Sequence, residues 1–200
     1  MKILVISDTH LPEFDSEKAV NMNKSDLTDF SFFPEILRQK IREADIVIHA
    51  GDFESEDAYR LFQKTGKLKA VFGNRDPETV QKALPEKLIF EECGIKFGVV
   101  HQAGISLNDN TARWYILKEM GADILIYGHI HTPSIEEYGG QFLLCPGSPT
   151  KARMSEPSVA EIIIDENQKK ISSIQIIQVG QAACGFIKFR EELIEKSEKE

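Results

Sequence analysis

Cysteine is scarce in this chain: Cys93, Cys145 and Cys184 stand far apart, with no C-x-x-C pair among them. That spacing argues against a disulfide framework and against a zinc ribbon, and it fits reduced thiols in a cytoplasmic protein. Long apolar runs are missing too. None approaches the roughly 20 residues that a membrane-spanning helix needs, so no membrane partner is expected. The opening MKILVISDTH runs from one lysine and a short apolar stretch straight into polar residues, without a small-residue cleavage site. It reads as a first core strand, not a signal peptide. There is also no basic tract: 32 acidic against 24 basic side chains leave a net charge of −8, which argues against a nucleic-acid partner. A phosphate-bearing substrate stays compatible with that charge, because bound metal ions can supply positive charge locally.

What the chain does have is a core. With 42% hydrophobic and 28% charged residues over 200 positions, one domain with appendages is expected. Residues 2–7 (KILVIS), 45–52 (DIVIHAGD) and 68–76 (LKAVFGNRD) read as strands. Between them lie helical patterns at 34–44, with Pro34 at the first helical position, and at 55–66, with a capping-box start and a Gly66 stop. Residues 87–101 read as a hairpin turning at Cys93-Gly94, 107–121 as a helix ended by Gly121, and 123–129 as a strand. Three more strands follow in QFLLCPGS, VAEIIID and KISSIQIIQV. Alternating strands and helices imply parallel pairing through crossovers, and the later part implies hairpins. The expected fold class is therefore α/β with two packed mixed sheets. Residues 11–33 form a polar stretch too long for an ordinary loop, and residues 185–200 read as a polar tail or solvated helix. Trp114 falls on an apolar helix face and is expected in the core.

The apolar strands share one punctuation. They end in S-D-T-H (7–10), H-A-G-D-F-E (49–54), F-G-N-R-D (72–76), V-V-H-Q (99–102) and Y-G-H-I-H-T (127–132). In open α/β sheets the crevice beyond the carboxyl ends of the strands is where ligands bind. Taken singly, each of these segments has a bland reading as a cap or turn, Gly73-Asn74 above all. His129 and His131 say more, since residues i and i+2 of a strand face the same side. The joint pattern decides: four of the five histidines lie at strand ends that also carry the polar motifs. The fifth, His49, would point the other way and reads as a satisfied core or supporting histidine. The convergent set is then Asp8, His10, Asp52, Asn74, His101, His129 and His131. Carboxylate oxygen with imidazole nitrogen suits Mn²⁺, Fe²⁺, Co²⁺, Ni²⁺ or Zn²⁺. Seven ligands exceed what one ion with an open position takes, and suit two ions about 3.5–4 Å apart sharing a carboxylate.

The ordered series D-x-H, G-D, G-N-x-D, a lone His, G-H-x-H and P-G-S, running from Asp8 to Ser148, resembles the calcineurin-like metallophosphoesterase superfamily. The compact length and the G-N-x-D form look like its small bacterial and archaeal phosphodiesterase branch. The resemblance implies a four-layer α/β/β/α sandwich, with a metallophosphoesterase domain over residues 1–184, an insertion at 11–33 near the active site and the tail at 185–200. It implies two divalent metal ions, Mn²⁺ first: Asp8, His10 and His131 on one, Asn74, His101 and His129 on the other, and Asp52 bridging. A hydroxide or water between the ions would be the nucleophile, attacking phosphorus in line. It further implies that Asp52, Asn74, Arg75 and Asp76 form the catalytic set.

Two positions depart from the family pattern. Many members have histidine where this chain has Arg75, and there the histidine is thought to stabilise the phosphoryl group or protonate the leaving group. A guanidinium is always charged, so it can hold a phosphate oxygen but cannot act as a general acid near neutral pH. That favours diesters, or esters with good leaving groups. Cys145 stands where the family usually has Asn before Pro-Gly-Ser, and is read as a packing residue. The expected function is thus a phosphodiesterase acting on a small phosphoester. The alternatives are a phosphomonoesterase acting on a metabolite or phosphoprotein, a nuclease, and a non-catalytic scaffold like the relative of this fold in the retromer coat. The acidic balance and small size count against the nuclease. The intact ligand set counts against the scaffold. The 11–33 segment either folds over the metal centre or is a surface excursion, and the chain is a monomer or a homo-oligomer.

Overall fold

A computed structural model describes residues 1–13, 30, 33–104 and 110–181. Most of the expected 11–33 insertion and all of the 185–200 tail lie outside the described residues. Two five-stranded sheets form the centre. One has the order β10-β9-β1-β2-β3, with β1 at Lys2–Ile6, β2 at Ile46–His49, β3 at Leu68–Ala70, β9 at Ser158–Asp165 and β10 at Lys170–Gln178. The other has the order β4-β5-β6-β8-β7, with β4 at Lys87–Glu92, β5 at Ile95–Val100, β6 at Ile124–Tyr127, β7 at Ser134–Tyr138 and β8 at Gln141–Cys145. The described helices are α1 (Glu35–Glu43), α2 (Glu56–Gln63), α3 (Glu78–Ala83) and α4 (Asn110–Met120).

Three buried clusters account for the layering. Successive strand residues face opposite sides, and the strands carry apolar side chains on both. Ile3 and Val5 of β1 meet Phe97, Val99, Ile124 and Ile126 between the sheets. Leu4, Ile6 and Val47 turn outward onto Leu37 and Ile41 of α1 and Phe62 of α2. Leu125, Tyr127 and Leu143 turn outward onto Leu117 and Met120 of α4. The result is the α/β/β/α sandwich. It explains why the central strands read as unbroken apolar runs: they are covered on both faces.

Pairing follows the crossover logic. β1 pairs in parallel with β2, β2 with β3, β5 with β6 and β6 with β8. β4 and β5 form the expected hairpin, with Cys93 and Gly94 both at positive φ and Glu92 opposite Ile95, the geometry of a two-residue primed turn. Parallel strands bring their carboxyl ends to one edge of the sandwich.

Several boundaries differ from the sequence reading. β2, β3, β6 and β8 end at His49, Ala70, Tyr127 and Cys145, short of the Asp, Asn, His and Ser positions that the sequence pattern assigns to strand. Ladder pairing stops first, and the polar residues follow on irregular loops. Pro34 is the N-cap of α1, one position earlier than expected. Two short elements were not anticipated. The six-residue α3 follows Pro77 and is too brief for a clear periodicity. β7 reads SIEEY and is an edge strand, where charge is an ordinary guard against mispairing and masks the pattern. Trp114 is half-buried, edge-on to the exposed Tyr138 with ring centroids 6.1 Å apart, and not in the interior.

Phe62 links the layers on the α2 side. Its ring is fully buried, 5.1 Å from the rings of both Phe30 and His49 and 5.9 Å from Phe53. Phe62→Ala should lower the unfolding free energy by about 3–5 kcal/mol, read by chemical denaturation. A loss below about 1 kcal/mol would mean that this cluster does not hold the layer.

Candidate metal centre

Beyond the strand ends the backbone changes character. Asp8, His10, Asp52, Glu54, His129 and His131 all have positive φ, between 44° and 75°. Asp and His enter this left-handed region more readily than most residues, yet each non-glycine residue there still costs about 1 kcal/mol or more. Alternation of left-handed residues in D-T-H, D-F-E and H-I-H gives three crossing turns in place of three strand ends. The first two run side by side: the amides of Asp8, His10 and Leu11 donate to the carbonyls of Gly51, Asp52 and Phe53. His129 and His131 therefore come together through their loop and not through strand alternation.

Two glycines permit this crowding. A Cβ at Gly128 would lie 1.9 Å from Ser7 Oγ, and one at Gly73 would lie 2.2 Å from Asp52 Oδ1.

The side chains converge in two linked groups. In the first, His10 Nε2 and His131 Nε2 are 3.1 Å apart, and His131 Nε2 is 3.1 Å from Asp8 Oδ1. In the second, Asn74 Oδ1 is 3.0 Å from His101 Nε2 and 3.0 Å from His129 Nδ1. Asp52 Oδ2 lies between them, 3.7 Å from His10 Nε2 and 3.4 Å from His101 Nε2. All seven residues expected to act as ligands thus come to one place.

The supporting contacts fix which atoms point inward. His131 Nδ1 donates to Lys151 O at 2.6 Å and His101 Nδ1 to Ala50 O at 2.8 Å. A carbonyl can only accept, so both rings carry Nδ1–H and turn Nε2 inward, the usual support for a ligating imidazole. Asp8 Oδ2 accepts from Ser7 Oγ and from His129 N, and Asp52 Oδ1 accepts from Arg75 N at 2.8 Å. One oxygen of each carboxylate is fixed by the protein and the other faces the centre. Asp8 Oδ1 is buried with no hydrogen bond among the described residues. Ser148 of the P-G-S motif donates to Asp8 O at 2.7 Å and accepts from Lys151 N at 2.8 Å, tying these loops together.

Charge favours a cation here. Burial by itself would raise the pKa of Asp8 and of Asp52. For Asp8, His131, His101 and Ser7 outweigh burial; for Asp52, His101 does so with the Arg75 amide and His10, and both carboxyls stay below their ordinary value. Burial also opposes protonation of His101, but Asp52 beside it prevails and raises its pKa. Burial keeps His10 and His129 low. Two imidazole nitrogens 3.1 Å apart need a proton or a cation between them. An ion about 2.1 Å from each of two cis nitrogens holds them about 3.0–3.4 Å apart. Asp8, His10 and His131 meet that spacing, or approach it, and Asp8, Asp52 and His101 form a second such group. The residues present therefore fit divalent metal ions.

Asp76, expected in the catalytic set, faces the backbone of the loops around Asp52 and Gly73. Its carboxylate is buried and accepts from the amides of Asp52, Glu54 and Gly73 at 3.1, 2.9 and 2.8 Å. It shapes the loops that present Asp52 and Asn74, and burial raises its pKa. Arg75 reaches outward, 62% exposed, to Glu54. Glu54 and Lys151 are the residues that sequence reasoning missed. Glu54 stands in the H-A-G-D-F-E strand end, where its alternation with Asp52 was the available signal. Cys145 is buried in the cluster under α4, and burial pushes its thiol up to about 12, in keeping with packing.

A model of the calcineurin-like phosphoesterase superfamily domain matches residues 1–167, and the chain belongs to that family. A probable metallophosphoesterase of Methanothermobacter thermautotrophicus is 33% identical over 190 residues, spanning 95% of this chain and 99% of that protein. In fold, the chain is similar to Vps29 of Entamoeba histolytica complexed with zinc (TM-score 0.65, 21% identity, 90% of this chain and 99% of that one). It is also similar to an archaeal phosphodiesterase (TM-score 0.60, 22% identity, 88% and 100%). Among the described residues no helix is long and apolar enough to cross a membrane.

His49 sits beneath the centre as a satisfied core residue. Gly51 N donates to its Nδ1, its Nε2 lies 3.1 Å from Thr9 Oγ1, and its ring stacks 3.7 Å from Phe53. Burial drives its pKa down to about 3, below the unfolded value of about 6.5. The unfolded chain therefore binds the extra proton between these two values. The stability from this group is complete above about pH 6.5 and declines by about 1.4 kcal/mol per pH unit on acidification toward pH 3. Denaturation between pH 7 and 5 should be less pH-dependent in His49→Gln than in the wild type; equal slopes would assign the acid sensitivity elsewhere.

Proposed function

We propose that this metallophosphoesterase is a phosphodiesterase that hydrolyses a small phosphoester at a dinuclear centre. The carrying observation is Asp52 Oδ2, set between His10 and His101, so that one carboxylate oxygen serves both ligand groups. Asp8, His10 and His131 would hold one ion, Asn74, His101 and His129 the other, and Asp52 would bridge them. Mn²⁺ is the first candidate, and Ni²⁺, Co²⁺, Fe²⁺ and Zn²⁺ also suit this donor set. When bound, the ions would acidify an attacking water and neutralise charge on the phosphoryl oxygens.

The chain's own residues do the rest. The carbonyls of Ala50 and Lys151 accept from Nδ1 of His101 and His131 and so turn Nε2 inward. Ser7 and the His129 amide hold Asp8, and the Arg75 amide holds Asp52. The Arg75 guanidinium stands at the rim as a permanent cation that can bind a phosphoryl oxygen. It cannot deliver a proton to a leaving alkoxide, which supports diesters or good leaving groups over alkyl monoesters. The likeness to an archaeal phosphodiesterase agrees with that preference. The complete ligand set supports catalysis over a scaffold role. The expected partner is a small phosphoester, with neither nucleic acid nor membrane, and the expected location is the cytoplasm.

After chelation, hydrolysis of bis(p-nitrophenyl) phosphate should return with Mn²⁺. Asp52→Asn should lower it about a hundredfold or more, equivalent to about 3 kcal/mol of barrier. Activity that ignores chelation, or survives in Asp52→Asn, would overturn the dinuclear reading. Arg75→His should raise the monoesterase-to-diesterase ratio at least about tenfold, and an unchanged ratio would show that Arg75 does not set the preference.

A further inference from the structure

His101 and His131 each have a carbonyl partner for the ring nitrogen that faces away from the centre. His10 does not. Its Nδ1 is buried and makes no hydrogen bond among the described residues, although its Nε2 points at His131 and Asp52. An ion on Nε2 would leave Nδ1 carrying the ring hydrogen, so a ligating His10 needs an acceptor on its outer side.

The near acceptor is Glu54. Its Oε2 is 3.3 Å from His10 Nδ1, within reach after a small adjustment. The backbone of Glu54 is fixed by its left-handed φ of 75° and by donation from its amide to Asp76. Its side chain is 24% exposed, less than half as much as the two cations that hold it. Arg75 Nη2 donates to Oε1 at 3.1 Å, and Lys151 Nζ donates to Oε2 at 3.0 Å. Lys151 thus engages the oxygen that faces His10. Its main-chain carbonyl meanwhile fixes His131.

We infer that Glu54 is a positioning residue of the metal centre: in the loaded protein its Oε2 accepts the Nδ1–H of His10, with Lys151 as the competitor for that oxygen. This rests on the metallophosphoesterase reading. A carboxylate behind a ligating imidazole fixes the ring and the tautomer and makes the inward nitrogen a stronger donor to the ion. A charge-assisted bond of this kind is stronger than the carbonyl bonds that serve His101 and His131. When Lys151 yields Oε2, its ammonium is released at the rim beside Arg75, where an anionic substrate arrives.

The test is Mn²⁺ titration of chelator-stripped protein by calorimetry. Glu54→Gln should bind Mn²⁺ about 10–100-fold more weakly than the wild type. Lys151→Met keeps the carbonyl to His131 and removes the competitor, so it should bind at least as tightly as the wild type. Metal-free thermal midpoints should match in all three, which separates positioning from a merely structural role. In the Zn²⁺-loaded wild type, proton–nitrogen NMR should show a slowly exchanging, downfield His10 Nδ1–H. Equal Mn²⁺ affinity in Glu54→Gln and wild type, weakening in Lys151→Met, or absence of that resonance would each overturn the inference. A wild type that takes up no metal at all would instead sink the metallophosphoesterase reading.

Discussion

Two carboxylates, those of Asp8 and Asp52, are held out of water within reach of three imidazoles, those of His10, His101 and His131, and the surrounding fold is organised by that constraint. A buried carboxylate is costly unless it is hydrogen-bonded and faces positive charge. Here each has one oxygen fixed by protein donors and the other turned to the centre. The double sandwich provides the rigidity. Strands covered on both faces cannot shift without opening two apolar layers at once, so their carboxyl ends are stable points from which short loops project.

Strain concentrates where those loops cross. Five of the seven convergent residues have left-handed φ, and glycines stand where any side chain would strike Ser7 or Asp52. Strain persists only where surrounding structure over-determines it. Asp76, Ser148 and the paired 8–11 and 51–53 segments supply that determination through backbone hydrogen bonds. Asp76 and Ser148 touch the loops rather than the centre, yet they help decide where Asp52 and Asp8 point. The rim adds an opposing charge: a chain of net charge −8 presents Arg75 and Lys151 on Glu54, beside the centre. Local positive potential, and not the overall balance, is what an incoming phosphoester meets.

Legibility in the sequence tracked physical scale. The central strands, the Cys93-Gly94 hairpin and helices α1 and α2 were readable because apolar periodicity and turn chemistry are local. The seven convergent residues were readable because chemistry-bearing side chains recurred at each strand end. Sequence reasoning extended strands through Asp52, Asp76 and His129, because apolar pattern does not record where ladder pairing stops. It missed β7, whose charged edge hides its alternation, and α3, which is shorter than two turns. The motif puts Asp76 among the expected catalytic residues, and only the folded structure shows the three amides that donate to its carboxylate.

The sequence by itself determined the layered α/β class and the donor types available at the strand ends, since burial periodicity and side-chain chemistry are written residue by residue. Tertiary structure alone decided which donors face one another and which oxygen of each carboxylate stays open. It also decided that Glu54 and Lys151 belong beside His10. The reason is distance along the chain: His10 and His131 are 121 residues apart and Glu54 and Lys151 are 97 apart. No local pattern can specify a contact that exists only once two sheets have packed and their loops have crossed.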